Sequence, residues 1–273
     1  MRDNGAVPLP RREPDLPGGA PVPEPSPRPA SSPGREPEPE PARRVPTPDW
    51  FLRPVLDVAH GLLDAHLMRR APEGDVTLRV TEVEAYEGEL DPASHAFRGL
   101  SRRNATMFGP GGHLYVYRHM GLHHCANVVC GEEGRARGVL LRAGEVVEGA
   151  HVATARRTVR GVVRTPADLA RGPARLADAL GLTLSDDGAD VLAGGHLELR
   201  VRATPVPAEA VARGPRVGVS GPGADPVGYP WRLWLRDDAT VSQFRGPARP
   251  RRRTGQTSAV GLDRGLDGTE EQR

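Results

Sequence analysis

Residues 82–127 read EVEAYEGELDPASHAFRGLSRRNATMFGPGGHLYVYRHMGLHHCAN, a run punctuated by glycine that gathers carboxylates, aromatics, arginines and five histidines. Just upstream, Val76, Leu78 and Val80 alternate with polar residues, and Val83 follows. Alternation at period two marks a half-buried strand, so a strand is expected over 76–85 with Glu84 where it leaves the core. A carboxylate at such a place is partly desolvated, which disfavours its charged form and makes it a better proton acceptor. By position alone the simplest reading is a surface Glu closing a strand; the neighbours change that reading.

Outward from this strand the pattern is of short elements. Thr47-Pro48-Asp49 carries the signals of a helix start: a capping residue, proline at the first helical position and an acid in the first turn. Val55, Val58, Ala59, Leu62 and Leu63 fit an amphipathic helix beginning near Pro54 and ending by Asp64. Further strands are expected over 65–68, 113–117, 126–129, 138–143, 196–201, 216–219 and 231–235. A helix is expected over 169–180, with Gly181 as its C-cap and Gly172-Pro173 an interruption or restart. Short strands with few helices indicate an α+β fold, a single domain with a mixed, largely antiparallel β-sheet core flanked by short helices.

The chain has 273 residues, with Pro 29 and Gly 33 unevenly placed. Residues 1–46 hold little apolar material and repeat Pro, Glu and Arg, which cannot bury enough surface to offset chain entropy, so a disordered Pro-rich tail is expected. A basic disordered tail is expected at 246–273, leaving a folded domain at 47–245, a length suited to one sizeable core.

Net charge is only +2, but between Ser94 and Arg142 seven Arg stand against two Glu, so one face should be positive. Arginines 249 and 251 to 253 would add a sequence-blind attraction to phosphates, or serve solubility alone. All 37 basic residues are Arg and none is Lys, which excludes a lysine Schiff base, a P-loop lysine, and lysine-held biotin or pyridoxal. Cys125 and Cys130 lie close in one expected strand and imply no disulfide framework. No leader pattern and no membrane-spanning run is visible, so a cytoplasmic, nucleoid-associated protein of bacterial type is expected.

The string VEAYEGELDPASHAFRGLSRRNATMFGPGGHLYVY at 83–117, followed by GLHHCANVV at 121–129, closely resembles the alkyladenine (3-methyladenine, or methylpurine) DNA glycosylase family. Weaker ordered matches follow at 139–149 (VLLRAGEVVEG), 170–182 (ARGPARLADALGL) and 216–236 (RVGVSGPGADPVGYPWRLWLR), so the likeness spans roughly 54–236. The resemblance implies a monomeric, monofunctional enzyme that needs no cofactor or metal. Its partner would be double-stranded DNA containing alkylated purines, whose N-glycosidic bond it hydrolyses to leave an abasic site in base excision repair.

Laid on residues, the resemblance makes Glu84 the general base that activates water, and Arg142 the cation that fixes the water and Glu84. Tyr86, His95 and Tyr117 match the side chains that enclose the extruded base. Rings suit that substrate, because a purine alkylated on N3 or N7 is cationic and gains roughly 0.5–2 kcal/mol on each electron-rich face. Tyr86, two residues past Glu84 on an extended segment, projects to the same side. Asn127 matches the amide that rejects the exocyclic amine of normal guanine. The residue that fills the gap left by flipping is Tyr in the best-known members and is Met120 here. Met is an apolar wedge without aromatic stacking, so Arg118 and His119 are expected to assist, with Arg103 on the same DNA-binding face.

Rival readings stand beside this one. His113, His119, His123, His124 and Cys125 invite a zinc site, although their spacing fits no familiar pattern and His123 and His124 would point oppositely on a strand. The basic face could belong to a non-catalytic nucleic-acid shape-binding protein on the same fold. Finally, Glu84 or Asp91 could serve a different hydrolase acting on a nucleoside or formyl substrate.

Overall fold

The computed structural model describes residues 40–244 apart from 193. In chain order the strands are β1 (Arg43–Arg44), β2 (His66–Arg69), β3 (Val76–Tyr86), β4 (Leu114–His119), β5 (His123–Val129), β6 (Gly138–Glu148), β7 (Ala170–Arg171), β8 (Leu197–Arg202), β9 (Val211–Gly214) and β10 (Arg232–Leu235). The helices are α1 (Val55–Leu62), α2 (Ala150–Thr158) and α3 (Pro173–Leu180). The main sheet runs β1-β8-β2-β3-β6-β5-β4, with β10 joining β3 to β9 and β7 pairing with β6. Every recorded pairing is antiparallel, within the α+β fold expected from the sequence.

The strand β3 lies at the centre of this sheet. One edge pairs with β6, while β2 takes the first half of the other edge and β10 the second, placing Glu84 between Leu140 and Arg232. Glu84 is therefore in mid-sheet and wholly buried, not at a strand end as its position suggested. The reason lies far along the chain, where β10 returns to cover that edge.

A break in alternation decides which way Glu84 faces. Val80 pairs with Gly144 and Glu82 with Ala143, so Thr81 is an extra residue in β3. Because side-chain direction has period two, one inserted residue exchanges the two faces of the strand. Leu78 and Val80 point to the core before the bulge, and Val83 and Ala85 point to it afterwards. Glu82, Glu84 and Tyr86 are turned to the other side.

The core lies under this sheet. Helix α1 presents Val55, Val58, Ala59 and Leu62, and α3 presents Leu176, Ala177 and Leu180, at helical spacing. Gly181, in the left-handed region at φ 70°, ends α3 with its N–H on the carbonyls of Ala177 and Asp178.

Several expectations need correcting. Residues 48–52 form a 3-10 helix, short because Pro54 stops it before α1 begins. The stretch 169–180 is helical only from the expected restart at Gly172-Pro173: Ala170–Arg171 pairs with β6, and α3 starts at Pro173 after Gly172 takes φ 113°. Residues 216–219 are loop, and the strand in that region is Val211–Gly214, because β10 pairs upstream of Arg216. Helix α2 was not read from AHVATARRT, whose apolar positions are too few to show a stripe. The two tails lie outside the described residues except for 40–46, where Arg43 and Arg44 pair with Arg202 and Val201 and extend the ordered body upstream of 47.

Candidate active site

The polar face of β3 opens on a cavity of about 380 Å³ bordered by Glu84, Tyr86, His95, His119, Tyr117 and Arg142, with Cys125, Leu140, Pro173 and residues 217–220 completing the wall. That volume falls within the range of small-molecule sites, roughly 300–1,000 Å³. A smaller recess shares Tyr86, Ala93, His95 and Tyr117 and ends on Met107, Tyr115 and Asn127. The expected catalytic and base-binding residues thus surround one space, although they come from four strands and a loop.

Glu84 is fixed from several sides. Its Oε1 accepts the Val217 N–H at 2.6 Å and faces Arg142 Nη1 at 3.3 Å, while Oε2 accepts the Tyr86 hydroxyl at 2.9 Å. Burial, followed by the charge of Glu84, pushes the Tyr86 phenol well above its ordinary pKa, so it remains a proton donor to that carboxylate.

Arg142 is itself an inserted residue: Val83 pairs with Leu141 and Glu82 with Ala143, leaving Arg142 as a bulge in β6. Bulges commonly re-aim a side chain beside a site. Here the guanidinium spans both carboxylates, with Nε donating to Glu82 Oε1 at 2.8 Å. Burial alone would lower its pKa, but Glu84 and Glu82 outweigh that and hold the charge firmly.

Glu82 has a part that sequence reasoning missed. It is fully buried and accepts hydrogen bonds from Arg142 Nε, Arg232 Nε at 2.6 Å, Ser242 Oγ at 2.9 Å and Ser242 N–H at 2.7 Å. Its place two residues before Glu84 was the available signal; Arg232 and Ser242 gave none.

The ring wall is built by β4 and by the loop after β3. Tyr115 and Tyr117, on one side of β4, stack at 5.4 Å, and His95 meets Tyr117 edge-on at 4.5 Å and 81°. His95 Nδ1 lies 3.2 Å from the Tyr115 hydroxyl. Burial, then the charges of Arg103 and His119, lower the His95 pKa, so the imidazole is neutral at pH 7. The Tyr115 hydroxyl is pushed up to about 12 and the Cys125 thiol to about 11, both by burial, so neither ionises near neutrality. Asn127, nearly buried at the recess, makes no side-chain hydrogen bond to the described residues. A buried amide normally has such a partner, so this one is free to meet a ligand.

Of the expected DNA-contacting residues, Arg118, His119 and Met120 lie on the β4–β5 hairpin and Arg103 on the loop that precedes it. Arg103, Arg118 and Met120 border a surface hollow that shares Tyr117 with the site, and Arg103 Nη2 reaches the Arg118 carbonyl at 3.4 Å. His119 borders the Glu84 cavity instead. Met120 is 81 % exposed at the hairpin tip and has φ 49°; Gly121 follows at φ 72°, and Leu122 N–H closes the turn on His119 O. A bulky residue in that conformation is strained, and such strain concentrates at functional positions. Leu122, exposed beside it, is a second apolar tip residue that the sequence did not single out.

Among the described residues no group of three or more His, Cys, Asp or Glu side chains is placed to hold a metal ion. Asp91 is wholly buried against Arg216 and, unlike Glu84, borders neither the cavity nor the recess. No described helix is long and apolar enough to cross a membrane.

The fold, with a buried carboxylate at an aromatic-walled cavity, is that of a DNA glycosylase, a hydrolase of N-glycosyl compounds. The chain belongs to the methylpurine-DNA glycosylase family, whose sequence model matches residues 49–239. A Streptomyces avermitilis protein named "Putative 3-methyladenine DNA glycosylase" is 54% identical over 210 residues, covering 76% of this chain and 95% of its own. Proteins of the same name from Leifsonia xyli (51% over 202 residues, 73% and 92% covered) and Corynebacterium glutamicum (45% over 196 residues, 72% and 96% covered) are also similar.

Proposed function

We propose that this protein is a monofunctional DNA glycosylase that extrudes alkylated purines of the 3-methyladenine class from duplex DNA and hydrolyses their N-glycosidic bond. The observation that carries this reading is the buried carboxylate of Glu84 at 2.9 Å from the hydroxyl of Tyr86, a wall of the cavity. In the proposed reaction Glu84 takes a proton from water as its oxygen bonds to the sugar C1′. The C1′–N bond breaks and its electrons leave with the base. Each carboxylate oxygen has two lone pairs, and Tyr86 occupies only one on Oε2, so an acceptor remains for the water. Arg142 holds Glu84 and offers a positive charge to the same water.

Tyr86, His95 and Tyr117 enclose the base, and their π-faces favour a purine made cationic by alkylation. Alkylation also supplies the leaving-group charge, so no separate acid is needed. Asn127 stands against the exocyclic amine of an undamaged guanine. Met120 enters the duplex as the nucleotide leaves it, with Arg118 and Arg103 on the flanking backbone and His119 bordering the base cavity. The sequence has no lysine to form a Schiff base, so strand cleavage is not expected.

The test uses duplexes each carrying one damaged base, with alkaline cleavage reporting abasic sites. Glu84→Gln should retain binding to the damaged duplex while base release falls by about 10²-fold or more. Release at the wild-type rate from that variant would refute Glu84 as the base.

A further inference from the structure

The Arg216 guanidinium is the meeting point of the segments that enclose the base cavity. Its Nη1 donates to the carbonyl of Ala85, between Glu84 and Tyr86, at 2.9 Å, and its Nη2 donates to Gly223 O at 2.9 Å and Asp91 Oδ1 at 2.8 Å. Nη1 also pairs with Asp91 Oδ2, so the contact is a two-bond fork between fully buried side chains. The Cζ atom stands 4.6 Å from the centroid of the Tyr86 ring, with Tyr229 and Trp231 at 5.3 and 5.4 Å. Asp91 accepts two further N–H groups, from Glu87 at 3.3 Å and Ala93 at 3.0 Å, the second bordering the cavity. Arg216 does not border that cavity.

We propose that the Asp91–Arg216 pair is a specificity-determining unit, which sets how strongly the Tyr86 ring prefers a positively charged damaged base over a neutral one. A ring attracts a cation through its π-face, and a cation already on it weakens attraction for a second. Arg216 alone would do this to any cationic base meeting Tyr86. Asp91 offsets that field, because both of its carboxylate oxygens lie against the guanidinium and the two side chains are buried as an oppositely charged pair. The pair therefore clamps the ring without spoiling it for cations. Arg216 acts through Tyr86 and through Val217, the next residue, whose N–H meets Glu84, so it is a positioning residue and not a catalytic one.

This inference rests on the glycosylase reading, and the test separates the two. Single-turnover release of 7-methylguanine, which is cationic, and of hypoxanthine, which is neutral, is measured from matched duplexes, and their ratio is compared between variants. Asp91→Asn leaves Arg216 unmasked and should lower the ratio about tenfold, because one partly screened charge then opposes the cationic base alone. The charge-free double variant Asp91→Asn/Arg216→Gln should return the ratio to within about threefold of wild type, even if both rates are lower. A purely structural pair would reduce both rates together, and an unmoved ratio in folded Asp91→Asn, or an equal fall in the double variant, overturns the proposal. If Asp91→Asn does not fold, Arg216→Gln decides. That variant takes the cation off the Tyr86 ring, so the ratio should rise about threefold or more, and a level or lower ratio overturns it. The wild-type rates report on the glycosylase reading itself; release of neither base overturns both.

Discussion

Arg142 binds Glu82 more closely than it binds Glu84, through Nε at 2.8 Å in the first case and Nη1 at 3.3 Å in the second. The proposed base is thus held by a cation that is anchored elsewhere. Glu82, Glu84, Arg142 and Arg232 form a buried cluster of balanced charge, and Glu82 is the member that receives the most hydrogen bonds.

Glu82→Gln should therefore harm stability and rate together. Removing one partner from a buried charged network costs about 3–5 kcal/mol, because the remaining charges are left uncompensated. Urea denaturation should show that loss, and the rate of base release should fall in the fraction still folded. A variant as stable and as fast as wild type would show that Arg142 needs no anchor.

At the hairpin tip, stability and function should separate. Met120→Gly relieves the positive φ of 49°, a strain of order 1 kcal/mol, so the melting temperature should hold or rise. The extruded population, followed by fluorescence of a base analogue, should fall several-fold because the wedge is gone. Met120→Tyr should raise it by restoring stacking, worth about 1–3 kcal/mol per base. No change with either variant would remove Met120 from the wedge role.

His95 should give the reaction an acid limb that depends on the base released. Its folded pKa is lowered, so the ring is neutral at pH 7 and gains its proton only below the ordinary value of 6.5. Protonation places a cation beside the cavity and opposes a cationic base. The ratio of 7-methylguanine to hypoxanthine release should therefore decline as pH falls below 6.5, and the decline should be absent in His95→Gln. Taking a ratio removes any effect of pH that acts on both reactions alike.

Acid should also weaken the fold at a place remote from catalysis. Burial alone would raise the Asp186 pKa, but the Thr183 N–H, Arg69 at 2.7 Å and His196 at 3.0 Å overcome it and lower the value. Asp238 is lowered in the same way by Thr240 and Arg79. A depressed carboxyl contributes stability that is complete above its unfolded pKa, near 3.8, and is lost as pH falls through the folded value. Asp186→Asn should lose about 1.5–3 kcal/mol at neutral pH and show a shallower acid limb in a plot of melting temperature against pH. An acid limb as steep as that of wild type would remove Asp186 from this account.

Much of this protein is legible along the chain because it depends on near neighbours. The period-two pattern of β3 is local, and so is its slip between Val80 and Val83, which marks the bulge that turns Glu84 away from the core. The absence of lysine is a property of composition, and the ordered motifs from Glu84 to Asn127 pointed to the family before any contact was known. What only the tertiary structure decided is how the site is held. Arg232 and Ser242 reach Glu82 from 150 and 160 residues away, and Arg216 reaches Asp91 across 125. Backbone periodicity extends a few residues at most, so nothing near those positions announces the partner. Buried ions are placed by whichever strands the folded sheet brings together, and for Glu84 that was settled when β10 paired along the open edge of β3.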